Sequence, residues 1–214
     1  MTGRLEACIR LAERVGVKGK KILDVGCSYP WFLEYALEKG AKSVMGIEPN
    51  LKKVRAGRKQ VPKAIIKQGY ANKLNFSDKS FELVTLLDVI EHIPKNTEHV
   101  VLSEINRVLK PKGYLIVSTP LQNLWSNIAD PAWYFGHRHY SEERLKKLLN
   151  NSGFKVTHTE THGSIWEIVA VWVLYFTKWV LRIKMPFEEW FDVKRRKEYR
   201  ESGFVALMVI AKKV

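Results

Sequence analysis

Short apolar runs alternate with amphipathic segments along most of the chain. The run 22–25 is wholly buried in character, bounded by charge and by Gly26, as expected of a strand covered on both faces. Residues 31–39 carry helical spacing, and Gly40 stops them. Residues 42–48 predict a second strand and 63–69 a third; between them Asn50 stands where a helix cap is needed. Residues 81–88 predict strand four. A helix follows over 97–110, with Val101, Ile105, Val108 and Leu109 on one side and Pro111 and Gly113 closing it. Strand five is expected over 114–120. Ser141 caps a helix whose first turn carries Glu142 and Glu143, favourable at the positive end of the dipole, and 151–153 closes it. The last two strands are 154–161 and 204–213. Strands alternating with helices predict an α/β fold: a Rossmann-like seven-stranded sheet, mostly parallel with an antiparallel last strand, and helices on both faces.

The segment 164–191, between the final strands, breaks this rhythm. Its uncharged run 168–177 is too short for a membrane span. On a helical wheel Glu167, Lys178 and Arg182 fall near one stripe and nearly all else is apolar. Such a helix needs a cover: the protein's own acceptor pocket, a dimer partner, or a membrane surface. The reading is one domain over 1–214 with an apolar helical insertion at 163–200.

The 214-residue length suits a single domain able to bury its own core. Two distant cysteines, Cys8 and Cys27, suggest neither a disulfide framework nor zinc, so a cytoplasmic protein is expected, with peripheral membrane contact left open. The N-terminal segment alternates apolar and charged residues, unlike a secretory signal. The net charge of +14 raises nucleic acid, anionic membrane or acidic substrate as partners. Seven basic residues and no acid occupy 51–67, which a solvated helix face explains as well as a polyanion surface does. Monomer and homodimer both remain open.

The loop after strand one, "DVGCSYPW", lies where ligands bind in such sheets, beyond the carboxyl ends of the strands. Gly26 allows close backbone approach, but the three glycines that cradle a pyrophosphate are missing. S-adenosylmethionine has no phosphate and tolerates side chains there. Asp24 or backbone carbonyls suit its ammonium, and the amides of Cys27 and Ser28 its carboxylate. Glu48 ends strand two, twenty-two residues past Gly26, and is placed to accept from ribose hydroxyls.

Three stretches resemble the class I S-adenosylmethionine-dependent methyltransferases that act on small molecules and lipid-like acceptors: "ILDVGCSYPWFLEYAL", "GIEPN", and the stretch from "QGYANKLNF" through "DVIEHI" to "RVLKPKGYLIVSTP". The likeness covers roughly residues 20–160. It implies S-adenosylmethionine as methyl donor and S-adenosylhomocysteine as product. It implies cofactor contacts at Glu48-Pro49, an adenine pocket at Gly69-Tyr70-Ala71, and contacts to the methionine end from Leu87, Asp88 and Val89. The chain departs from the pattern at Ser28 and Pro30, where glycines are usual, and at Tyr70, where an acid is usual. A nucleic-acid methyltransferase and a non-catalytic cofactor binder are the alternatives; an Asn/Asp-Pro-Pro-Tyr/Phe motif is absent after strand four.

Of six histidines, three are candidates for proton removal or acceptor binding. His92 follows strand four, and His137 and His139 lie in "FGHRHYS" after strand five, where the resemblance implies acceptor residues. Trp133, Tyr134, Phe135 and Tyr140 make this loop aromatic and are expected to line the acceptor pocket. No metal is expected, because the His-x-His lacks an evident partner cluster.

Overall fold

The computed structural model describes residues 3–214, without the side chains of Ile128, Ala129, Pro131 and Phe135. Its elements are α1 (Gly3–Val15), β1 (Lys21–Val25), α2 (Trp31–Glu38), β2 (Ser43–Glu48), α3 (Leu51–Gln60), β3 (Ile65–Gln68), β4 (Phe81–Leu87), α4 (Glu98–Val108), β5 (Leu109–Pro120), α5 (Leu124–Ala129), α6 (Glu142–Asn151), β6 (Phe154–His162), α7 (Ile165–Tyr175), α8 (Glu188–Glu198) and β7 (Ala206–Lys213). Short 3-10 turns cover Ile90–His92 and Pro131–Phe135, and a π-helical segment, Phe176–Leu181, continues α7. The seven strands run in the order β3-β2-β1-β4-β5-β7-β6. All neighbours are parallel except β7, which is antiparallel to both β5 and β6, so the strand expected to reverse does so.

The burial pattern follows from the sequence periodicity. Residues Ile22 to Val25 are buried on both faces of β1, because helices cover each side. One core layer joins Val84, Leu115 and Val209 to Val101, Ile105 and Leu145 of α4 and α6. The opposite layer joins Ile22, Val44 and Met208 to Leu11 of α1 and Phe32 and Leu33 of α2. Asn50 caps α3 by accepting from the Lys52 and Lys53 amides, and Ser141 caps α6 through the Arg144 amide.

One boundary differs from expectation. Helix α4 ends at Val108, and Leu109 already pairs with Phe81 in the sheet. Pro111 disfavours helical geometry at Lys110. The next pairing, Leu83 with Tyr114, shows a bulge that Lys112 turns at φ +63°. The segment read as a helix stop is thus the distorted start of the strand.

Strand order reverses between β1 and β4, which places a crevice at their carboxyl ends. Both strands leave the sheet through uncommon backbone. Gly26 has φ +81°, while Ser28 at +38° and Asp88 at +53° hold left-handed geometry without being glycine. Such strain concentrates at ligand sites.

Candidate active site

A cavity of about 360 Å³ opens at the ends of β1, β2 and β3. It is lined by Gly26, Ile47, Pro49, Gly69, Tyr70 and Ala71 on one side, and by Val89, His92 and the start of α4 on the other. A Cβ on Gly26 would stand 2.4 Å from Val89 Cγ2, so only glycine leaves this wall open. The volume suits a small organic ligand. Glu48 stands in sequence between the lining residues Ile47 and Pro49; its buried carboxylate accepts from the Ser28 amide at 3.1 Å and the Asn50 amide at 2.9 Å. An ionised carboxylate has about four acceptor positions, so two stay free for hydroxyl donors. The walls are apolar and the polar groups few, as an adenosyl group requires. This lining is compatible with S-adenosylmethionine, whose ribose Glu48 would accept from and whose base Gly69-Tyr70-Ala71 would border.

Several expected cofactor residues sit elsewhere. Asp24 is buried within the sheet, accepting from Thr85 Oγ1 at 2.7 Å, and burial pushes its carboxyl up to about 7. A group held that way does not face the cavity. The Cys27 thiol packs under β2, beside Gly46, with burial driving its pKa upward; its amide is already bonded to the Ile47 carbonyl. Neither group of Cys27 is presented to a ligand. Ser28 contributes its amide to Glu48. Asp88 turns toward the N-terminal helix, pairing with Arg4 at 3.1 Å and accepting from Ser118 Oγ at 3.0 Å. Leu87 packs against the core layer of α1 and α2. Of the residues expected at strand four's end, Val89 lines the cavity.

His92 joins this cavity to a second, larger one of about 850 Å³, lined by Glu91, Gln122, Trp133, His137, Arg138, His139 and Arg144. The rings of His92 and His137 lie 4.7 Å apart. Burial and the neighbouring His137 lower the pKa of His92, which favours a neutral ring able to accept a proton. Asp130 organises the other two histidines. Its Oδ2 meets His137 Nδ1 at 2.5 Å and His139 Nε2 at 2.9 Å, while its Oδ1 accepts the Ala132 amide at 2.9 Å. Burial opposes ionisation of Asp130, but these hydrogen bonds outweigh it and hold the carboxyl well below the usual range. His139 Nδ1 also meets Asn127 Oδ1 at 2.7 Å, so both its ring nitrogens are engaged. His137 Nε2 lies 3.9 Å from buried Glu91. Burial, with the nearby Asp88 charge, raises the Glu91 carboxyl to about 8.

The aromatic residues divide. Trp133 lines the larger cavity, and Tyr134 stacks edge-on to it, largely exposed. The Phe135 side chain lies outside the described residues. Tyr140 corrects the sequence reading: it is fully buried, and its hydroxyl donates to the Ile90 carbonyl at 3.1 Å and reaches Glu98 at 3.2 Å. It anchors the loop after β4 and meets no acceptor.

Glu91 and Asp130 were assigned no part from sequence. Glu91 is adjacent to His92 in sequence, while Asp130 precedes Pro131, a pairing common to ordinary turns. The fold also supplies the partners that the His-x-His appeared to lack. Asp130, His137 and His139 offer ligand atoms within 4.8 Å of one another, as do Glu91, His92 and His137. The hydrogen bonds already made by Asp130 account for the first group without an ion.

A profile of the family described as "Methyltransferase domain" matches residues 3–159. The chain belongs to this family, and its fold is that of a class I S-adenosylmethionine-dependent methyltransferase. It is 32% identical over 151 residues to a probable S-adenosylmethionine-dependent methyltransferase of Mycolicibacterium smegmatis, covering 70% of this chain and 57% of that protein. It is 31% identical over 119 residues to a ubiquinone biosynthesis O-methyltransferase of Pseudomonas fluorescens, covering 52% and 49%. These matches span about half the length of the curated relatives. Among solved structures it is similar to an S-adenosylmethionine-dependent methyltransferase from Mesorhizobium loti, with a TM-score of 0.68, 18% identity, and 97% and 98% of the two chains covered.

Proposed function

We propose that this chain transfers the methyl group of S-adenosylmethionine to a hydroxyl of a small, largely apolar acceptor. The observation that carries the reading is the position of His92, on the shared wall of the apolar cavity below β1–β3 and the histidine-lined cavity beside it. A donor in the first and an acceptor in the second meet at that wall. The bound cofactor supplies an electrophilic methyl on a sulfonium; the protein supplies alignment and proton removal. Holding two reactants in line is worth about 7–11 kcal/mol of barrier. His137 is suited to take the hydroxyl proton: Asp130 fixes its Nδ1, which orients Nε2 toward the larger cavity and stabilises the cation once formed. The likeness to an O-methyltransferase favours oxygen as the nucleophile.

The test is a labelled-methyl acceptor screen with phenolic and aliphatic alcohols, run beside calorimetry with S-adenosylhomocysteine. His137→Ala is expected to keep product binding and lose about 10²–10⁴-fold in turnover. Normal turnover by both His137→Ala and His139→Ala would leave this loop as a wall only. Cofactor binding without transfer to any acceptor would favour the non-catalytic binder. Nucleic acid stays the second reading on the charge of +14; absence of gel shifts at moderate salt removes it.

A further inference from the structure

The insertion between β6 and β7 is inside out. Glu167, the charged residue of α7, is buried and forms a two-point ion pair with Arg195 of α8 at 2.5 and 3.2 Å. The large apolar residues face the other way. Phe176, Trp179, Val180, Leu181, Ile183 and Phe187 are each at least half exposed, Phe187 to 79%. They fall within the single stretch 176–187, the π-helical segment and the turn that follows it, hereafter the ridge. A patch of this kind marks an interaction surface.

The cations on the same ridge identify the occupant. Lys178, Arg182 and Lys184 are all exposed, alternate with the apolar residues, and share the stretch 178–184 with no acid. Exposed Glu188 and Glu189 begin only at the next helix. A second copy of the chain would bring two such cation sets together on molecules that each carry +14. A bilayer with anionic headgroups matches both features: apolar side chains enter the acyl boundary while lysine and arginine reach the phosphates. No described helix is long and apolar enough to cross a membrane, which leaves a surface mode of attachment.

We propose that the ridge Phe176–Leu181, with Arg182 to Phe187, docks the protein on an anionic lipid surface. The docking does not depend on the catalytic reading. It has one consequence for it: the inner side of the same helix, at Ile168, Val171 and Tyr175, lines a pocket of about 280 Å³ that also contains His137 and His139. A docked molecule would therefore keep the helix that lines this pocket at the lipid surface.

The experiment is co-sedimentation with phosphatidylcholine vesicles, with and without phosphatidylglycerol. The wild-type chain is expected to sediment only with the anionic vesicles, and less so as salt rises. The triple variant Lys178→Gln, Arg182→Gln, Lys184→Gln should bind on the order of a hundredfold more weakly. Trp179→Ser with Leu181→Ser should lose on the order of tenfold or more, through apolar area alone. All five positions are exposed, and S-adenosylhomocysteine affinity together with far-ultraviolet circular dichroism checks the fold. Equal sedimentation with neutral vesicles, or none with anionic ones, overturns the proposal on the wild-type chain alone. So does a stable dimer in light scattering that Trp179→Ser with Leu181→Ser disperses.

Discussion

Replacing Glu91 with glutamine isolates the charge state of the most deeply buried carboxyl near the site. Glu91 is 2% exposed, accepts from Thr119 Oγ1 at 3.1 Å, and lies between the opposing influences of Asp88 and Arg4. Burial dominates and lifts its carboxyl from an ordinary 4.5 to about 8. The folded protein therefore keeps a proton there at neutral pH that the unfolded chain releases. Below the ordinary value both states are protonated and stability is fully present. As pH rises from 4.5 to about 8 the unfolded chain ionises first, and stability is lost until the folded carboxyl also titrates. The difference amounts to about 5 kcal/mol as a ceiling, at 1.36 kcal/mol per decade. Glutamine accepts the same Thr119 hydrogen bond and cannot ionise. Urea unfolding of both proteins across this range should give nearly equal stability near about pH 4 and a glutamine variant more stable by about 2–5 kcal/mol near about pH 9. Other titrating groups cancel in the difference. A difference that stays flat with pH refutes the reasoning. So does a less stable variant at neutral pH, which would mean that Arg4 rather than burial governs the site.

Three other substitutions test separate parts of the site. Gly26→Ala places a methyl 2.4 Å from Val89 Cγ2 at φ +81°, so it should weaken S-adenosylhomocysteine binding and cost about 1–3 kcal/mol of stability; adding Val89→Ala should recover part of both, and additive losses would count against the clash. Glu48→Ala strands the Ser28 and Asn50 amides and removes the ribose acceptor, so calorimetry should show affinity lower by about 1–3 kcal/mol, with Glu48→Gln intermediate; unchanged affinity for both would end the ribose role. Asp130→Asn should spare cofactor binding and lower turnover by about 10²-fold or more, because the amide no longer holds His137 Nδ1 as the anion does; unchanged turnover would make Asp130 a cap for the turn at Ala132 only.

Most of the sheet was legible because its central strands are apolar runs too short for helices and bounded by glycine, proline or charge. The reversal of β7 was also legible from the long connection before it, but its place between β5 and β6 was not. Chain distance hid the site. Asp130 lies seven residues from His137, but Glu91 reaches the same histidine across a separation of 46 residues, through the fold alone. Side-chain direction was a second blind spot. Asp24, Cys27 and Asp88 occupy the expected loop ends, yet the pleat and the Arg4 pair turn them away from the cavity.

The helical wheel puts Glu167, Lys178 and Arg182 near one stripe, yet in the fold Glu167 is buried against Arg195 while Lys178 and Arg182 are exposed. An isolated wheel weighs polarity one residue at a time, whereas a bidentate ion pair moves a carboxylate indoors together with its counter-charge. Once Glu167 is committed to α8, the wheel's angular order turns Trp172 and Phe176 outward, because positions about half a turn away cannot also face the core. Breaking the pair tests this chain of cause. Glu167→Gln should free Arg195 and loosen α7 from α8, seen as faster amide exchange in 165–181, while the exchange of β1 and β4 stays as before. Unchanged exchange in α7 would show that its apolar contacts alone set its orientation.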